Sequence, residues 1–407
     1  MGQKVYFGWF VVVAAFVVLF LGFGIAYSFA SFFDGLETDF QASRGDVSLI
    51  FSIAGFLYFS LGAISGPLSD RLGSRPVVAF GMLLIAGGLL ASSFAQSLWQ
   101  VYLSYGMAVG VGIGFAYVPS VGVLQRWFVR RRGLVTGLAV AGIGVGTLIA
   151  PPISRFLVET LGWRGAFQVL AGVVLVIGLA AAWMLYPDPA ARGLYPDGEK
   201  TAVGEGASLS GMSLRGALAT RPFWLLFAAS SINAVGLFVP FVHLVKFSVD
   251  HGHDESWSVL LISLIGIGSM SGRLTLGGLA DRFGRHRSII IMFLGMALMH
   301  AWWYVSTSFW ALSVYAVLFG LFYGGFVALA PALIADYYGA KNVGGILGLQ
   351  YSGIALGSLV GPVAAGFAFD LTGSYDLPIA ASAGTAFLAT AVILTLRSPA
   401  QWRRLQT

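Results

Sequence analysis

Charged residues are so sparse in this 407-residue chain that they divide it into long uncharged stretches. Only 10% of the residues are Asp, Glu, Lys or Arg, whereas soluble globular proteins have roughly 25%. About 20 consecutive apolar residues are enough to cross a bilayer as a helix. This pattern predicts an α-helical membrane protein with many spans and excludes a soluble enzyme. The uncharged windows are residues 5–33, 47–69, 76–125, 133–154, 165–187, 222–245, 256–272, 288–335, 342–369 and 377–396.

Two of these ten windows are long enough for two helices each. The window at 76–125 has a polar break at Ser92–Ser97, and the window at 288–335 has one at Ser306–Ser308. We therefore expect an all-α membrane protein with twelve transmembrane helices, an even number that puts both termini on one side. The first window is too long for the apolar region of a secretory signal peptide, so we count it as a span.

The net charge of +6 is explained by where the Lys and Arg residues fall. Of the 23, eighteen lie on the side of the termini, four lie on the other side, and Arg273 lies within a span. Because cytoplasmic loops carry an excess of Lys and Arg, we expect both termini in the cytoplasm and the protein in the plasma (inner) membrane. The charge is a topology signal, and no nucleic-acid partner is expected.

The chain repeats itself at an offset of 211 residues. A duplicated six-helix unit predicts two parallel, pseudo-symmetric six-helix bundles with a substrate site between them near the membrane midplane. We expect the bundles at residues 1–187 and 221–407, joined by a polar cytoplasmic linker at 188–220. The matching segments are residues 66–73 with 277–284, residues 146–151 with 357–362, and Glu159 and Gly162 with Asp370 and Gly373.

Several segments resemble those of a known transporter family. Gly66-Pro67-Leu68-Ser69-Asp70-Arg71-Leu72-Gly73 and its repeat at 277–284 resemble the signature loop of the major facilitator superfamily. Within that superfamily, the segments at 6–12 and 127–139 resemble the two signatures of the monocarboxylate transporter family. Gly272-Arg273 with 277–281, and the segment at 370–375, are similar to that family and to its relative, the oxalate:formate antiporter. The resemblance implies the major facilitator fold and a transport function.

Arg273 is the first candidate for a functional residue. A guanidinium inside a span is costly unless it faces a wet cavity or a partner, and its planar fork suits bidentate binding of a carboxylate. Arg273 lies about 12 Å of helix before Asp281, which makes it difficult for the side chain to reach the membrane surface. The equivalent position in the first repeat is Gly62. We expect Arg273 to bind substrate and to take part in proton coupling, and by resemblance it is the anion-binding arginine of the family.

Two histidines lie within predicted spans. His243 shares a helix face with Asn233, Gly236 and Pro240, a stripe suited to a cavity wall. Such a histidine can donate a hydrogen bond to a carboxylate and titrate near physiological pH, so it is a candidate for substrate binding and proton coupling. The alternative is a structural histidine bonded to a neighbouring helix. We expect His300, in a peripheral span, to be structural.

The remaining candidates for substrate binding are mostly tyrosines. A tyrosine ring closes a cavity while its hydroxyl binds a small anion, although tyrosines also serve as packing and interface residues in membrane proteins. Ser269 lies one turn before Arg273 and shares its helix face. The candidates are Ser269, Tyr27, Tyr117, Tyr323, Tyr351 and Tyr375.

The loops after the second and eighth spans are candidates for gating. By resemblance to the superfamily, the loop aspartate and arginines pair with a neighbouring helix end and hold the cytoplasmic side closed. Ser74 occupies the usual basic position of the first loop, and an arginine follows it. The residues concerned are Asp70, Arg71, Arg75, Asp281 and Arg282.

The lack of other charges inside the spans limits the substrate. With Arg273 alone, the cavity carries one positive charge, which suits a monoanion. The oxalate carrier family has a second cation, a lysine of the eleventh span, but residues 350–356 here contain none. Some monocarboxylate transporters also have a lysine in the first span and an aspartate before the arginine. This chain has Tyr27 and Ser269 at those places.

We expect a secondary active transporter of small monocarboxylates such as L-lactate or pyruvate. It would act as a proton-coupled symporter by alternating access, as a monomer in the lipid bilayer, with the proton on His243 or on the carboxylate itself. The alternatives are a carboxylate anion exchanger, a multidrug exporter, which would normally have an acidic residue in its spans, and a non-transporting receptor. Because the chain has no Cys, phosphate loop, metal cluster or catalytic triad, we expect neither enzyme activity nor a cofactor or metal.

Overall fold

The computed structural model describes residues 6–129, 131–198, 211–339 and 343–403, with the side chains of 132, 133, 191, 277–282, 343, 344 and 403 left undescribed. Within these ranges the chain forms twelve long helices. They are α1 (Gly8–Tyr27), α2 (Arg44–Ser60 and Gly62–Leu72), α3 (Ser74–Ser93), α4 (Leu98–Trp127), α5 (132–161), α6 (163–184), α7 (Arg221–Asp250), α8 (Glu255–Phe283), α9 (Arg285–Tyr304), α10 (Phe309–Tyr338), α11 (Val343–Thr372) and α12 (Asp376–Leu394).

The helices have the length and hydropathy of membrane spans. In the described residues, nine qualify by these measures, or ten when the two parts of α2, bent by 48°, are taken as one span. The apolar stretch Leu134–Met184 contains two helices, because the chain reverses at Gly162. Helix α9 is not among the helices that meet these measures. The prediction of an all-α membrane protein with twelve helices in two bundles is confirmed.

The internal repeat is visible in the backbone. Gly73 and Gly284, 211 residues apart, have φ of 86° and 90°. Gly162 and Gly373, at the same offset, have φ of 71° and 69°. Left-handed backbone favours glycine because it has no Cβ, so both halves turn at equivalent positions for the same steric reason.

The ends of the helices define two sides of the molecule. We call the side on which the 188–220 segment lies the linker side and the opposite side the far side. On the linker side, Tyr6 donates a hydrogen bond of 2.9 Å to the carbonyl of Tyr195, and the amide of Met212 donates one of 2.7 Å to the carbonyl of Tyr338. The two described parts of the linker thus contact different halves, α1–α6 and α7–α12.

Close contact between α8 and α10 fixes the position of Arg273. A Cβ at Gly272 would lie 2.1 Å from the carbonyl oxygen of Leu321 in α10. The two backbones therefore touch, as they do where small residues line membrane helix interfaces. The next residue, Arg273, is held beside α10 and faces the N-terminal half.

The first-repeat counterpart of Arg273 has a role in helix contacts. Gly62 begins the second part of α2, and a Cβ there would lie 2.7 Å from the side chain of Val118 in α4. The repeat therefore places a close helix contact at this point in one half and a charged side chain in the other.

Candidate functional site

A cavity between the two halves contains Arg273. It holds about 470 Å³ of space not occupied by protein atoms, a volume that includes open solvent. Arg273 supplies the one charged side chain among the described residues that line it, and three tyrosines add hydroxyl groups. The N-terminal half contributes Phe23, Phe59, Tyr117 and Ile143, and the C-terminal half contributes Leu237, Phe238, Arg273, Tyr323, Phe326, Val327, Ala330, Tyr351 and Ile354.

The guanidinium of Arg273 is only partly satisfied. Its Nη1 donates a hydrogen bond of 3.1 Å to the carbonyl of Val140, which belongs to α5 in the opposite half. Its Nε and Nη2 are buried and have no hydrogen-bond partner among the described residues. These two nitrogens form one edge of the planar fork, the edge that a carboxylate binds with two parallel hydrogen bonds. The site therefore offers a bidentate donor pair to a carboxylate.

Two tyrosines from opposite halves close the cavity toward the far side. The hydroxyls of Tyr27 in α1 and Tyr323 in α10 lie 3.0 Å apart, and both side chains are buried. The ring of Tyr27 stacks on Phe241 of α7, with ring centroids 4.5 Å apart. Separation of the halves at this point would break both contacts.

The other two tyrosines of the cavity come from α4 and α11. Tyr117 packs edge-to-face on Phe23, with centroids 5.3 Å apart, and Tyr351 packs edge-to-face on Phe59 at 6.1 Å. Both rings stand in the cavity wall with Arg273. The structure thus brings Arg273, Tyr117, Tyr323 and Tyr351 together, and Tyr27 joins them through Tyr323.

Ser269 lies near this group but is not among the residues that line the cavity. Its side chain is buried, and its Oγ has no hydrogen-bond partner in the described part of the chain. A Cβ at Gly324 would lie 2.1 Å from the Ser269 carbonyl, so this part of α8 is packed against α10.

His243 and Tyr375 form a second cluster, closer to the far side. His243 is fully buried, and its Nδ1 lies 3.1 Å from the Tyr375 hydroxyl. Its Nε2 lies 2.8 Å from the carbonyl of Pro362 and 3.2 Å from Oγ of Ser48. Arg44 donates a hydrogen bond of 3.0 Å to the Tyr375 hydroxyl. The structure does not bring these two residues to the cavity that contains the Arg273 side chain.

The stripe on α7 that suggested a cavity wall serves another purpose. A Cβ at Gly236 would lie 2.8 Å from the backbone carbonyl of Ser382 in α12. The amide nitrogen of the Asn233 side chain lies 3.8 Å from the sulfur of Met296 in α9. At these two residues the face packs against α12 and α9, and neither residue lines the cavity that contains Arg273.

Ion pairs between the halves are concentrated on the far side. Arg44 binds both carboxylate oxygens of Asp250, at 2.5 and 2.8 Å. Lys246 pairs with Asp34 and, at 2.6 Å, with Glu37. Among the described side chains, all ion pairs that join the halves lie on this side, which is therefore closed. A further pair joins Arg155 and Glu255.

In the sequence alone, these basic residues serve only as markers of topology. A signal was nevertheless present, because few Lys and Arg residues lie on the far side and acidic residues lie near the same helix ends. Which acid each base binds depends on how the two halves meet, and a hydropathy pattern does not contain that information.

The gating candidates of the first half form contacts within that half. Asp70 accepts a hydrogen bond of 3.0 Å from Arg126 at the end of α4, a partner that the sequence analysis did not identify. Arg75 stacks on the ring of Tyr186 at 3.3 Å, and its interaction lowers the pKa of the Tyr186 hydroxyl below the usual 10.0. Arg71 is exposed.

The gating candidates of the second half, Asp281 and Arg282, lie outside the described side chains. Nearby, Arg285 at the start of α9 donates a hydrogen bond of 2.9 Å to Asp336 in α10. The peripheral His300 is buried against the ring of Trp303 in α9 and the rings of Tyr315 and Phe319 in α10.

Comparison with known proteins identifies the family. The family model of the Major Facilitator Superfamily matches residues 12–299 and 260–407. Monocarboxylate transporter 13 of Rattus norvegicus is 31% identical over 395 residues, which cover 96% of this chain and 89% of that protein. The chain belongs to the monocarboxylate transporter family. Its family and fold predictions are confirmed, and it is a membrane transporter, not an enzyme.

Two further relatives have a similar sequence identity to this chain. Monocarboxylate transporter 2 of Rattus norvegicus is 28% identical over 419 residues, with 98% of this chain and 84% of the relative covered. Monocarboxylate transporter 11 of Mus musculus is 31% identical over 385 residues, with 91% and 83% covered. The similarity therefore extends through both halves of the molecule.

Proposed function

We propose that this protein transports small monocarboxylates across the membrane, with Arg273 as the residue that binds the carboxylate. The observation that carries the proposal is the buried Nε and Nη2 edge of Arg273, which has no partner in the described residues and opens on the inter-half cavity. One positive charge among apolar and phenolic walls suits a single carboxylate on a small organic body. The names of the relatives support the same substrate class.

The transport cycle that fits this site is alternating access. Binding of a carboxylate at the Nε and Nη2 edge neutralises Arg273, whose Nη1 is bonded to the carbonyl of Val140 in the other half. The far side is closed here, so substrate would exchange with the linker side in this conformation. The distribution of Lys and Arg supports a cytoplasmic linker side and a position in the plasma (inner) membrane. Because one chain forms the whole cavity, the monomer is the proposed transport unit.

We further propose proton-coupled symport, with L-lactate and pyruvate as the first substrates to test. No Asp or Glu lines the cavity in the described part of the chain, so the proton travels on the carboxylate itself or binds to His243 at the inter-half cluster. The absence of an acidic residue in this wall also favours a second candidate, exchange of one carboxylate for another.

Uptake of labelled L-lactate into proteoliposomes distinguishes proton-coupled symport from carboxylate exchange. Symport predicts accumulation driven by an inward proton gradient. Exchange predicts uptake that is indifferent to the gradient but accelerated by a carboxylate inside the vesicles.

The test of the binding site is Arg273→Gln, which should abolish uptake because it removes the charge and the fork. Arg287→Gln is the matched control, since Arg287 is exposed at the start of α9. Normal uptake by Arg273→Gln would refute the binding assignment.

A further inference from the structure

The carboxylate of Asp370, at the end of α11, caps a helix of the opposite half. Its Oδ1 accepts a hydrogen bond of 3.0 Å from the backbone amide of Arg44, and its Oδ2 accepts one of 2.9 Å from the amide of Gly45. These are the first two amides of α2, and the first amides of a helix have no partner within it. The negative charge also lies at the positive end of the helix dipole.

The close approach of two backbones makes this contact possible. A Cβ at Gly366, one turn before Asp370, would lie 2.7 Å from Cα of Gly45. The ends of α2 and α11 therefore touch, and the aspartate reaches the amides directly. Ser43, the residue that precedes α2, caps a different amide, that of Asp46. The two caps thus serve different donors, one within the half and one across the halves.

The internal repeat supplies a second contact of the same type. At the offset of 211 residues, Asp370 corresponds to Glu159 at the end of α5, and Arg44 corresponds to Glu255 at the start of α8. Glu159 accepts a hydrogen bond of 2.9 Å from the hydroxyl of Ser256, in the first turn of α8. Here the donor is a side chain, Asp254 caps the amides of Ser256 and Trp257, and the same oxygen of Glu159 also accepts a hydrogen bond from Arg155.

We propose that Asp370 and Glu159 are a pair of far-side clamps that hold the two halves together when the far side is closed. Each carboxylate comes from the last turns of one helix and binds the first turn of a helix in the other half. Opening of the far side must break both contacts and expose the carboxylates and the α2 amides to water. The clamps therefore set the balance between the far-side-closed and far-side-open conformations, whatever the substrate.

The clamp at Asp370 adds to the ion pairs on the same side of the molecule. Although its side chain is exposed, Asp370 binds two backbone amides of a fixed helix end, and such charge-assisted bonds are stronger than neutral ones. Its replacement should thus shift the conformational balance even though the ion pairs of Arg44 and Lys246 remain.

The absence of Cys from the chain gives a clean background for measuring this balance. Ser48 is fully buried at the inter-half cluster, where it contacts His243. A single Ser48→Cys variant reports far-side opening through its rate of reaction with a maleimide, in purified protein without substrate. In this background, Asp370→Ala should raise the labelling rate several-fold, and Asp370→Asn should raise it less because one acceptor oxygen remains.

The control is Asp376→Asn, an exposed acid at the start of α12 on the same side, which should leave the rate unchanged. Glu159→Ala, which removes the acceptor of the Ser256 hydroxyl in the other half, should also raise the rate, so the proposal stays testable if the Asp370 variants fold poorly. Folding is checked by thermal unfolding of each variant. Labelling rates of folded Asp370→Ala and Glu159→Ala that match the control would overturn the proposal. A wild-type protein that does not transport carboxylates would contradict only the proposed function.

Discussion

Arg273 lies between a backbone carbonyl of α5 and the cavity between the two halves. One nitrogen is bonded across the halves, and the Nε and Nη2 edge remains buried without a partner in the described residues. An unsatisfied buried donor is costly, and a charged one more so. A bound carboxylate would accept hydrogen bonds from both nitrogens and so offset this cost. The planar shape of the guanidinium should therefore matter for function as well as its charge.

This distinction leads to a prediction for Arg273→Lys. The variant keeps the positive charge but loses the planar pair of donors, so it should raise the KM for L-lactate about 10- to 100-fold, as expected for the loss of a charged hydrogen bond of about 1.5–3 kcal/mol. Uptake kinetics in proteoliposomes measure the change, with Arg287→Lys as the control. An unchanged KM would mean that charge alone suffices.

The hydroxyl pair of Tyr27 and Tyr323 predicts a non-additive effect on stability. Tyr27→Phe or Tyr323→Phe leaves the other buried hydroxyl unsatisfied and should cost about 1–3 kcal/mol of unfolding free energy. The double variant should cost less than the sum of the two, because it removes both polar groups. Chemical or thermal unfolding in detergent gives the double-mutant cycle.

Tyr315→Phe is the control for this cycle. The hydroxyl of Tyr315 is buried and has no hydrogen-bond partner in the described part of the chain, so its removal should be neutral or stabilising. Strictly additive losses for Tyr27→Phe and Tyr323→Phe would show that the two hydroxyls do not interact.

At the scale of helices, the backbone contact between α8 and α10 positions the arginine. α8 approaches α10 so closely at Gly272 that no side chain fits between them. The spacing of these helices decides where the guanidinium of the next residue lies relative to Tyr323. A glycine beside a functional residue therefore acts on the site through helix packing.

Gly272→Ala should accordingly impair both folding and transport. Its Cβ would meet the carbonyl of Leu321 at 2.1 Å, and overpacking of this kind costs about 1–3 kcal/mol or more. Gly137→Ala in α5 is the control, because nothing lies within 4 Å of its Cβ and alanine favours a helix. Thermal unfolding and lactate uptake are the measurements. Equal stability of the two variants would contradict the contact.

At the scale of the molecule, the two halves are joined by polar contacts on the far side and meet along α2 and α11. A Cβ at Gly55 of α2 would lie 3.3 Å from Cβ of Ser358 in α11. Alternating access requires the halves to move relative to each other, so contacts of this kind must change during each cycle.

A disulfide across this contact should stop transport. The double variant Gly55→Cys with Ser358→Cys brings the two Cβ atoms close to the usual disulfide separation of about 3.8 Å. Oxidation should abolish lactate uptake, and reduction should restore it. Each single variant, treated with the same oxidant, is the control. Full uptake by the cross-linked protein would show that the halves need not separate here.

The sequence by itself determined the number of spans, the repeat and the presence of a charged residue, Arg273, inside a span. Apolar length, turn glycines and a charge inside a span are properties of local residues, so the chain carries them without reference to its neighbours. The same reasoning did not find the clamp carboxylates Asp370 and Glu159, although their repeat offset was visible.

The tertiary structure decided which candidates share one site. It placed Tyr117, Tyr323 and Tyr351 with Arg273, and it placed His243 in a separate cluster with Tyr375. Each of these residues lies on a helix whose rotation is set by contacts along its whole length, and helical periodicity does not specify that rotation. The pairing of far-side charges depends likewise on how two separate bundles meet, which is a property of the folded molecule alone.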